Sequence, residues 1–395
     1  MSFFHSFAFI PQQMLGVSTW LLTVLIGVFG IGFLIGFHEL GHFLFAKLFN
    51  IRTPSFSIGF GPRLISKKIG DTQFSLSAIP LGGYVELAGA AEVGQGEQKE
   101  AHDTGERSFA TKPYYQKLLV MSGGILFNLL FAYIALFFLF MLGMPKSPYL
   151  YPLNASNIVE SVKTDSPAEK AGLLAGDKIT SLKIDAPIPL AHLTVTTENP
   201  SEFIRSIMAH PNTQASIEVE REDIRKEFEL IIASEKGLSN PVGSIGIQFA
   251  MKEGQRLSFF DALKRSVQLT NLYIIGTFKA FKHIFTKRDV NGMGGPITIV
   301  SETVKGASKG FKMVLFFLAV ISINLAILNL IPVPILDGGQ ILFYTIEALV
   351  GRSIPNRVRE YIFIASWLAF LALILYLSYK DLLRVLPGLA KVFKR

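Results

Sequence analysis

The sequence predicts a polytopic α-helical membrane protein: four transmembrane helices, a membrane-associated β-hairpin or small sheet, and one α+β domain outside the membrane. Three observations carry this reading. The 395 residues are 50% hydrophobic and only 17% charged, and the mean hydropathy is positive; that balance suits a membrane chain with a soluble insert. Four segments, 20–49, 118–142, 313–335 and 361–379, are apolar enough to cross a hydrocarbon core, which takes about 20 residues. Between the second and third lies the one long polar section, 145–310.

The net charge is +8, but the Lys and Arg residues are scattered, without the basic stripe and interleaved aromatics of a nucleic-acid binder. They suit anionic headgroups beside the membrane. Cysteine is absent, which excludes disulfides and thiolate metal sites. No Lys or Arg precedes Lys47, so the basic start of a cleavable signal is missing and an uncleaved first span is expected. Lys47, Arg52, Arg63, Lys67 and Lys68 follow that span. By the positive-inside rule they place 50–117 in the cytoplasm and 145–310 outside it. Arg352, Arg357 and Arg359 then fall on the cytoplasmic side, while the basic tail from Lys380 to Arg395 runs against the rule.

Inside the first span stands Phe37-His38-Glu39-Leu40-Gly41-His42-Phe43. On a helix, His38 and His42 face the same way with about 6 Å between their Cβ atoms. That spacing lets two imidazoles grip one Zn²⁺ and leaves Glu39 to act on a water there. No charged residue lies between Trp20 and Phe37, and ionisable groups in such a run are expensive and mark function. A catalytic zinc needs a third protein ligand. The acid that stands out is Asp337, in Asn329-Leu330-Ile331-Pro332-Val333-Pro334-Ile335-Leu336-Asp337-Gly338-Gly339. His38 lies about 27 Å down a helix from Trp20, and Asp337 at most about 36 Å from Met313, less once Pro332 and Pro334 break the helix. The two can therefore meet; the other reading makes Asp337 a helix cap at the interface. Asn324 and Asn329 on the same span either bridge helices or bond a substrate backbone. Ser122, Gly123 and Gly124 of span two suit close helix packing, and Asn128 needs a protein partner.

After the first span, 56–62, 73–79 and 80–87 read as strands with a turn, either dipping into the membrane beside the metal or forming a solvated hairpin. Residues 88–108 read as a mobile loop. In the outer section Ser166-Pro167-Ala168-Glu169 is a capped helical turn, 200–209 a helix, and 158–162, 173–179, 215–221 and 227–233 strands. Residues 258–286 form an amphipathic helix, lying on the membrane surface or against the α+β unit. The resulting segments are 1–49, 50–117, 118–142, 145–250, 255–312, 313–340 and 341–395.

With SPAEKAGLLAGDKI as its signature, 155–235 resembles a PDZ domain, a fold that adds a peptide to a sheet edge. FHELGH, FSIGFGP, IPLGGYVEL, the PDZ insert, GGPI at 294–297 and NLIPVPILDGG together resemble the site-2 intramembrane metalloproteases, and among them the bacterial RseP-like group. The resemblance implies zinc on His38, His42 and Asp337, and Glu39 as general base and acid. It implies substrate contacts from Asn324, Asn329 and the strand around Gly82, Gly83 and Tyr84, which takes the substrate as an added strand. It also implies a monomer in a bacterial inner membrane, with the active site toward the cytoplasm. Its substrates would be single-pass membrane proteins trimmed on the outer side, such as anti-sigma factors, and remnant signal peptides, with peptide ends met by the PDZ unit and no nucleic acid. This chain departs in having one PDZ copy and Gln340 after LDGG, where histidine is common. A different class of function, a non-catalytic PDZ scaffold for exported peptides, would need neither zinc nor Glu39. A metal transporter would need a chain of polar residues that the spans lack.

Overall fold

The computed structural model describes residues 12–90, 100, 103–147, 150, 155–185, 193–196, 200–236, 241–287, 295–307 and 309–392. They fall into two compact units, one of residues 1–141 with 257–395 and one of 142–256.

Among the described residues, the first unit holds four helices long and apolar enough to cross a membrane: α1 (Gln12–Leu48), α2 (Tyr114–Leu142), α7 (Phe311–Leu330) and α9 (Asn356–Val392). Helix α7 ends at Leu330, short of the expected 335 and before Pro332 and Pro334, whereas α9 outruns its expected span because helix continues where hydropathy stops. Thus α9 carries Lys380, Asp381 and Arg384 within its last turns. Between α1 and α2, strands β1 (Ser55–Ile69) and β2 (Thr72–Glu86) pair antiparallel. Both bend, and Ser57 faces Ser75 on one side and Tyr84 on the other. The result is four rungs in the order 63–69, 72–77, 55–58 and 83–86, with 83–86 at an edge.

This sheet lies against the membrane-length part of α1 rather than beyond its end. A Cβ on Gly32 would stand 2.4 Å from the Pro80 carbonyl oxygen, so only glycine permits the approach. Phe56, Val85 and Leu87 then bury with Ala46, Ile51, Val120 and Met121 at the base of α1 and α2. The described parts of the 88–108 loop are tied to that base. Phe109 is fully buried and its N–H donates to the Ala88 carbonyl at 2.7 Å; residues 91–99, 101 and 102 lie outside the described set.

Helix α5 (Phe259–Lys287) precedes α6 (Pro296–Ala307) and α7. Its Tyr273, Ile274 and Phe281 pack on a buried cluster of Ala132, Ile323 and Ile327, from α2 and α7. The amphipathic pattern at 258–286 therefore serves helix packing in this unit, which neither expectation for that segment named. After α7, Pro332 and Pro334 stop the helix by lacking an N–H, and α8 (Asp337–Val350) restarts with Asp337 in its first turn.

In the second unit the strands β3 (Ala155–Val162), β4 (Lys178–Ile184), β5 (Leu193–Thr196), β6 (Gln214–Arg221), β7 (Ile224–Ile231) and β10 (Ile247–Met251) form one sheet. Its order is β10-β3-β4-β6-β7, with β5 also on β4. Helix α3 (Pro167–Ala171) is capped by Ser166 as expected, the Glu169 N–H donating to Ser166 Oγ at 3.2 Å. Glu222 and Asp223 both take positive φ, the geometry of a two-residue hairpin turn between β6 and β7. Helix α4 (Pro200–Ala209) sets Phe203 and Ile207 into the core beside Phe249. The short pair β8 (Ala233–Lys236) and β9 (Pro241–Ser244) completes the unit.

Candidate active site

Three donor atoms from two distant helices meet in the first unit. His38 Nε2 lies 3.2 Å from His42 Nε2 and 3.3 Å from Asp337 Oδ2. His42 Nε2 lies 3.5 Å from Asp337 Oδ1. Bonds of about 2.0–2.1 Å to a tetrahedral ion put neighbouring donors roughly 3.3 Å apart, so the spacings fit Zn²⁺ held by these three residues. The hydrogen bonding agrees, because buried Asp337 Oδ2 takes no hydrogen bond from the protein. Two imidazoles and a carboxylate leave a fourth position open, the arrangement of a catalytic rather than a structural zinc site.

Local sequence explains how Asp337 arrives. The chain turns after α7, with the Leu336 N–H donating to the Val333 carbonyl at 2.8 Å. Gly338 and Gly339 then run against the chain before them: added Cβ atoms would lie 2.4 Å from the Leu330 oxygen and 2.1 Å from the Val333 oxygen. Gln340 donates from Nε2 to the Pro334 carbonyl at 2.9 Å and so braces the turn.

Helix α2 supplies the wall behind the histidines. A Cβ on Gly41 would stand 2.2 Å from the Gly123 oxygen, and one on Gly123 would stand 2.6 Å from the Gly41 oxygen. The backbones of α1 and α2 are in contact there. A Cβ on Gly124 would stand 2.4 Å from His38 Cε1 and 2.5 Å from His42 Nε2, so both rings lie across the space this glycine leaves. His42 Nδ1 donates to the Val120 carbonyl at 2.8 Å, which fixes its proton on Nδ1 and frees Nε2. Asn128 is fully buried with its side-chain amide 3.1 Å from His38 Nδ1.

A cavity of about 350 Å³ opens in front of these atoms. Glu39, His38, His42, Asp337 and Asn329 line one part; Phe60, Phe363, Trp367 and Phe370 line another. The Glu39 side chain lies over the edge rung of the sheet, where a Cβ on Gly83 would be 3.2 Å from Glu39 Cγ. Tyr84 stacks on Phe60 with ring centroids 6.5 Å apart and an interplanar angle of 6°, and Phe60 covers Gly82.

The structure thus brings together His38, Glu39, His42, Asp337, Asn329 and Gly83 around one space. Asn329 Nδ2 is 3.4 Å from His38 Nε2. Asn324 points elsewhere and accepts a hydrogen bond from Thr277 of α5 at 2.9 Å. Sequence reasoning missed the ring contact of Gly124, the reach of Asn128 to His38, and the aromatic wall from α9. The glycine pair in an apolar span was a usable signal for the first; nothing local marks the aromatics.

The geometry defines a two-histidine, one-carboxylate metal centre with an adjacent glutamate, built among helices of membrane length. The family model for peptidase family M50 matches residues 26–374. The chain is 32% identical over 383 residues to a protein of Campylobacter jejuni named "Putative zinc metalloprotease Cj1068", with 94% of this chain and 96% of that one covered. A similarly named Helicobacter pylori protein is 33% identical over 377 residues, covering 92% and 99%. A Clostridium perfringens counterpart is 31% identical over 352 residues, covering 88% and 94%. The chain belongs to peptidase family M50, the site-2 protease family.

Proposed function

We propose that this zinc metalloprotease cleaves peptide bonds within the membrane-embedded segments of single-pass membrane proteins. One observation carries the reading: the donor set and Glu39 share a cavity in a unit whose helices are long and apolar enough to span a bilayer. His38, His42 and Asp337 would hold Zn²⁺, which when bound would supply Lewis acidity toward the scissile carbonyl and toward water. Glu39 takes a proton from the attacking water and returns it to the departing amide nitrogen. The water oxygen first bonds to the carbonyl carbon, the C–N bond then breaks as the nitrogen takes the proton, and water is consumed without any other co-reactant.

A helical substrate keeps its carbonyls in backbone bonds and must first unwind. The rung 83–86 has one strand partner, 55–58, and Gly83 and Val85 line the cavity. A substrate added at that edge as a further strand would recover part of the lost backbone bonding. Asn329, which lines the cavity 3.4 Å from His38 Nε2, would bond the unwound backbone, whereas Asn324 would act through α5. In a bacterial inner membrane, Lys47, Arg52, Arg63, Lys67 and Lys68 would turn the sheet side toward the cytoplasm. The second unit, read as an extracytoplasmic PDZ domain, would meet trimmed ends of substrates such as anti-sigma factors and hinder untrimmed ones.

Glu39→Gln tests the reading on purified full-length enzyme with a reporter whose scissile bond lies in a transmembrane segment. Zinc content should stay at the wild-type level while cleavage falls roughly 10²–10⁴-fold. Undiminished cleavage by the variant would overturn the assignment of Glu39. Wild-type cuts confined to soluble flanks of the reporter would overturn the intramembrane reading.

A further inference from the structure

We propose that Asn128 is a positioning residue that holds His38 in its metal-binding tautomer, an inference that rests on His38 being a zinc ligand. For His38 Nε2 to offer a lone pair, the ring proton must sit on Nδ1, and a buried N–H requires an acceptor. Asn128 is fully buried with its side-chain amide 3.1 Å from that nitrogen. Its Oδ1 has no other hydrogen-bond partner. The two ends of an amide differ only by a 180° turn, and the turn that puts Oδ1 toward Nδ1 satisfies both groups together. The opposite turn would put an N–H against Nδ1 and force the proton onto Nε2, facing His42 and Asp337.

His42 shows the same device in a form with no ambiguity. Its Nδ1 faces the Val120 carbonyl, which can only accept. Val120, Gly124 and Asn128 are spaced by four, on one face of α2. That face offers the Val120 carbonyl to His42, and to His38 the Asn128 amide together with the backbone of Gly124, whose missing side chain leaves the place where both rings rest. Ser322 of α7 donates to the Asn128 backbone carbonyl at 2.8 Å, which steadies the turn of α2 that carries the amide. Partners of metal-bound histidines typically change metal affinity by 10–100-fold when removed.

The test measures zinc affinity by chelator competition on full-length wild type, Asn128→Leu and Asn128→Asp, with the melting temperature of each metal-stripped protein. Asn128→Leu keeps the volume but offers no acceptor, and should bind zinc roughly 10–100-fold more weakly with an unchanged metal-free melting temperature. Asn128→Asp keeps the acceptor and should bind close to wild type. Leucine binding as tightly as asparagine, or aspartate as weakly as leucine, would overturn the proposal while leaving the metal site in place. A wild-type protein that binds no zinc would instead remove the ligand assignment, and this inference with it.

Discussion

Asp177 and Asp337 are two carboxylates withdrawn from water in different units, and they are satisfied in opposite ways. In the second unit, Asp177 Oδ1 accepts from Arg221 Nε at 2.6 Å. Its Oδ2 accepts from Arg221 Nη2 at 2.8 Å and from the Leu174 N–H at 2.9 Å. The same guanidinium donates to the Gly172 carbonyl at 2.8 Å and lies over the Phe228 ring. In the first unit, among the described residues, the polar contacts of Asp337 are with imidazole nitrogens, and its Oδ2 receives no hydrogen bond. A buried charge left open in this way is tolerated when something else compensates it. What separates a structural carboxylate from a metal ligand here is the bonding the protein leaves unmade.

Breaking the open carboxylate should have the largest effect on chemistry. Asp337→Ala is expected to remove stoichiometric zinc from the purified protein and to lower cleavage at least as far as Glu39→Gln does. Because the polar contacts given for Asp337 are to the two histidines of the site, the metal-free melting temperature should change little. A clear fall in that temperature, with zinc retained, would place Asp337 with Asp177 as a structural group.

Breaking the closed carboxylate should do the reverse. Asp177→Ala strands Arg221 and is expected to lower stability of the second unit by roughly 2–4 kcal/mol, read by hydrogen exchange in β4 and β6 of the intact protein, with zinc content unchanged. Burial pushes the Asp177 carboxyl up, but the Arg221 and Leu174 hydrogen bonds outweigh it and hold the group below the ordinary carboxylate range. A depressed folded-state value means the contribution is fully present above the unfolded pKa, near 3.9. It is lost as pH falls through the lower folded value. Exchange protection of β4 and β6 should therefore be flat, as far as this pair governs it, from neutrality to about pH 4, and drop only in stronger acid. A loss between pH 7 and 5 would contradict that sign.

The same contrast bears on what the residues alone disclosed. The HELGH motif was legible because helical spacing is local: four positions always bring two side chains to one face. Asp337 was legible because an acid just after two prolines at the end of an apolar span has few other uses. Asn128 and Gly124 were not, since whether they face α1 depends on how α2 is rotated, which an apolar all-round helix does not encode. The doubling of β1 and β2 into four rungs was hidden for a related reason. Alternation marks strands, but it does not say that one rung of β1 will pair with both ends of β2. Asn324 and Asn329, five apart on one helix, looked equivalent by sequence, and only packing turns one to α5 and the other to His38.

A third carboxylate sharpens the comparison by the smallest expected effect. Asp381, near the end of α9, is almost fully buried and is closed by the start of α6. Its Oδ1 accepts from the Gly295 N–H at 3.2 Å and Thr298 Oγ1 at 2.7 Å, and its Oδ2 from the Thr298 N–H at 2.9 Å. A carboxylate at a helix N-terminus also meets the positive end of the helix dipole. Asp381→Asn keeps one acceptor oxygen in place and loses the charge, so a stability loss of about 1 kcal/mol is expected, with zinc affinity unaltered. Thermal unfolding of the metal-free and zinc-loaded protein separates the two terms: a structural carboxylate shifts both melting temperatures equally. If only the zinc-loaded temperature moved, closure by hydrogen bonds would no longer distinguish this group from Asp337, and the rule drawn from Asp177 would fail.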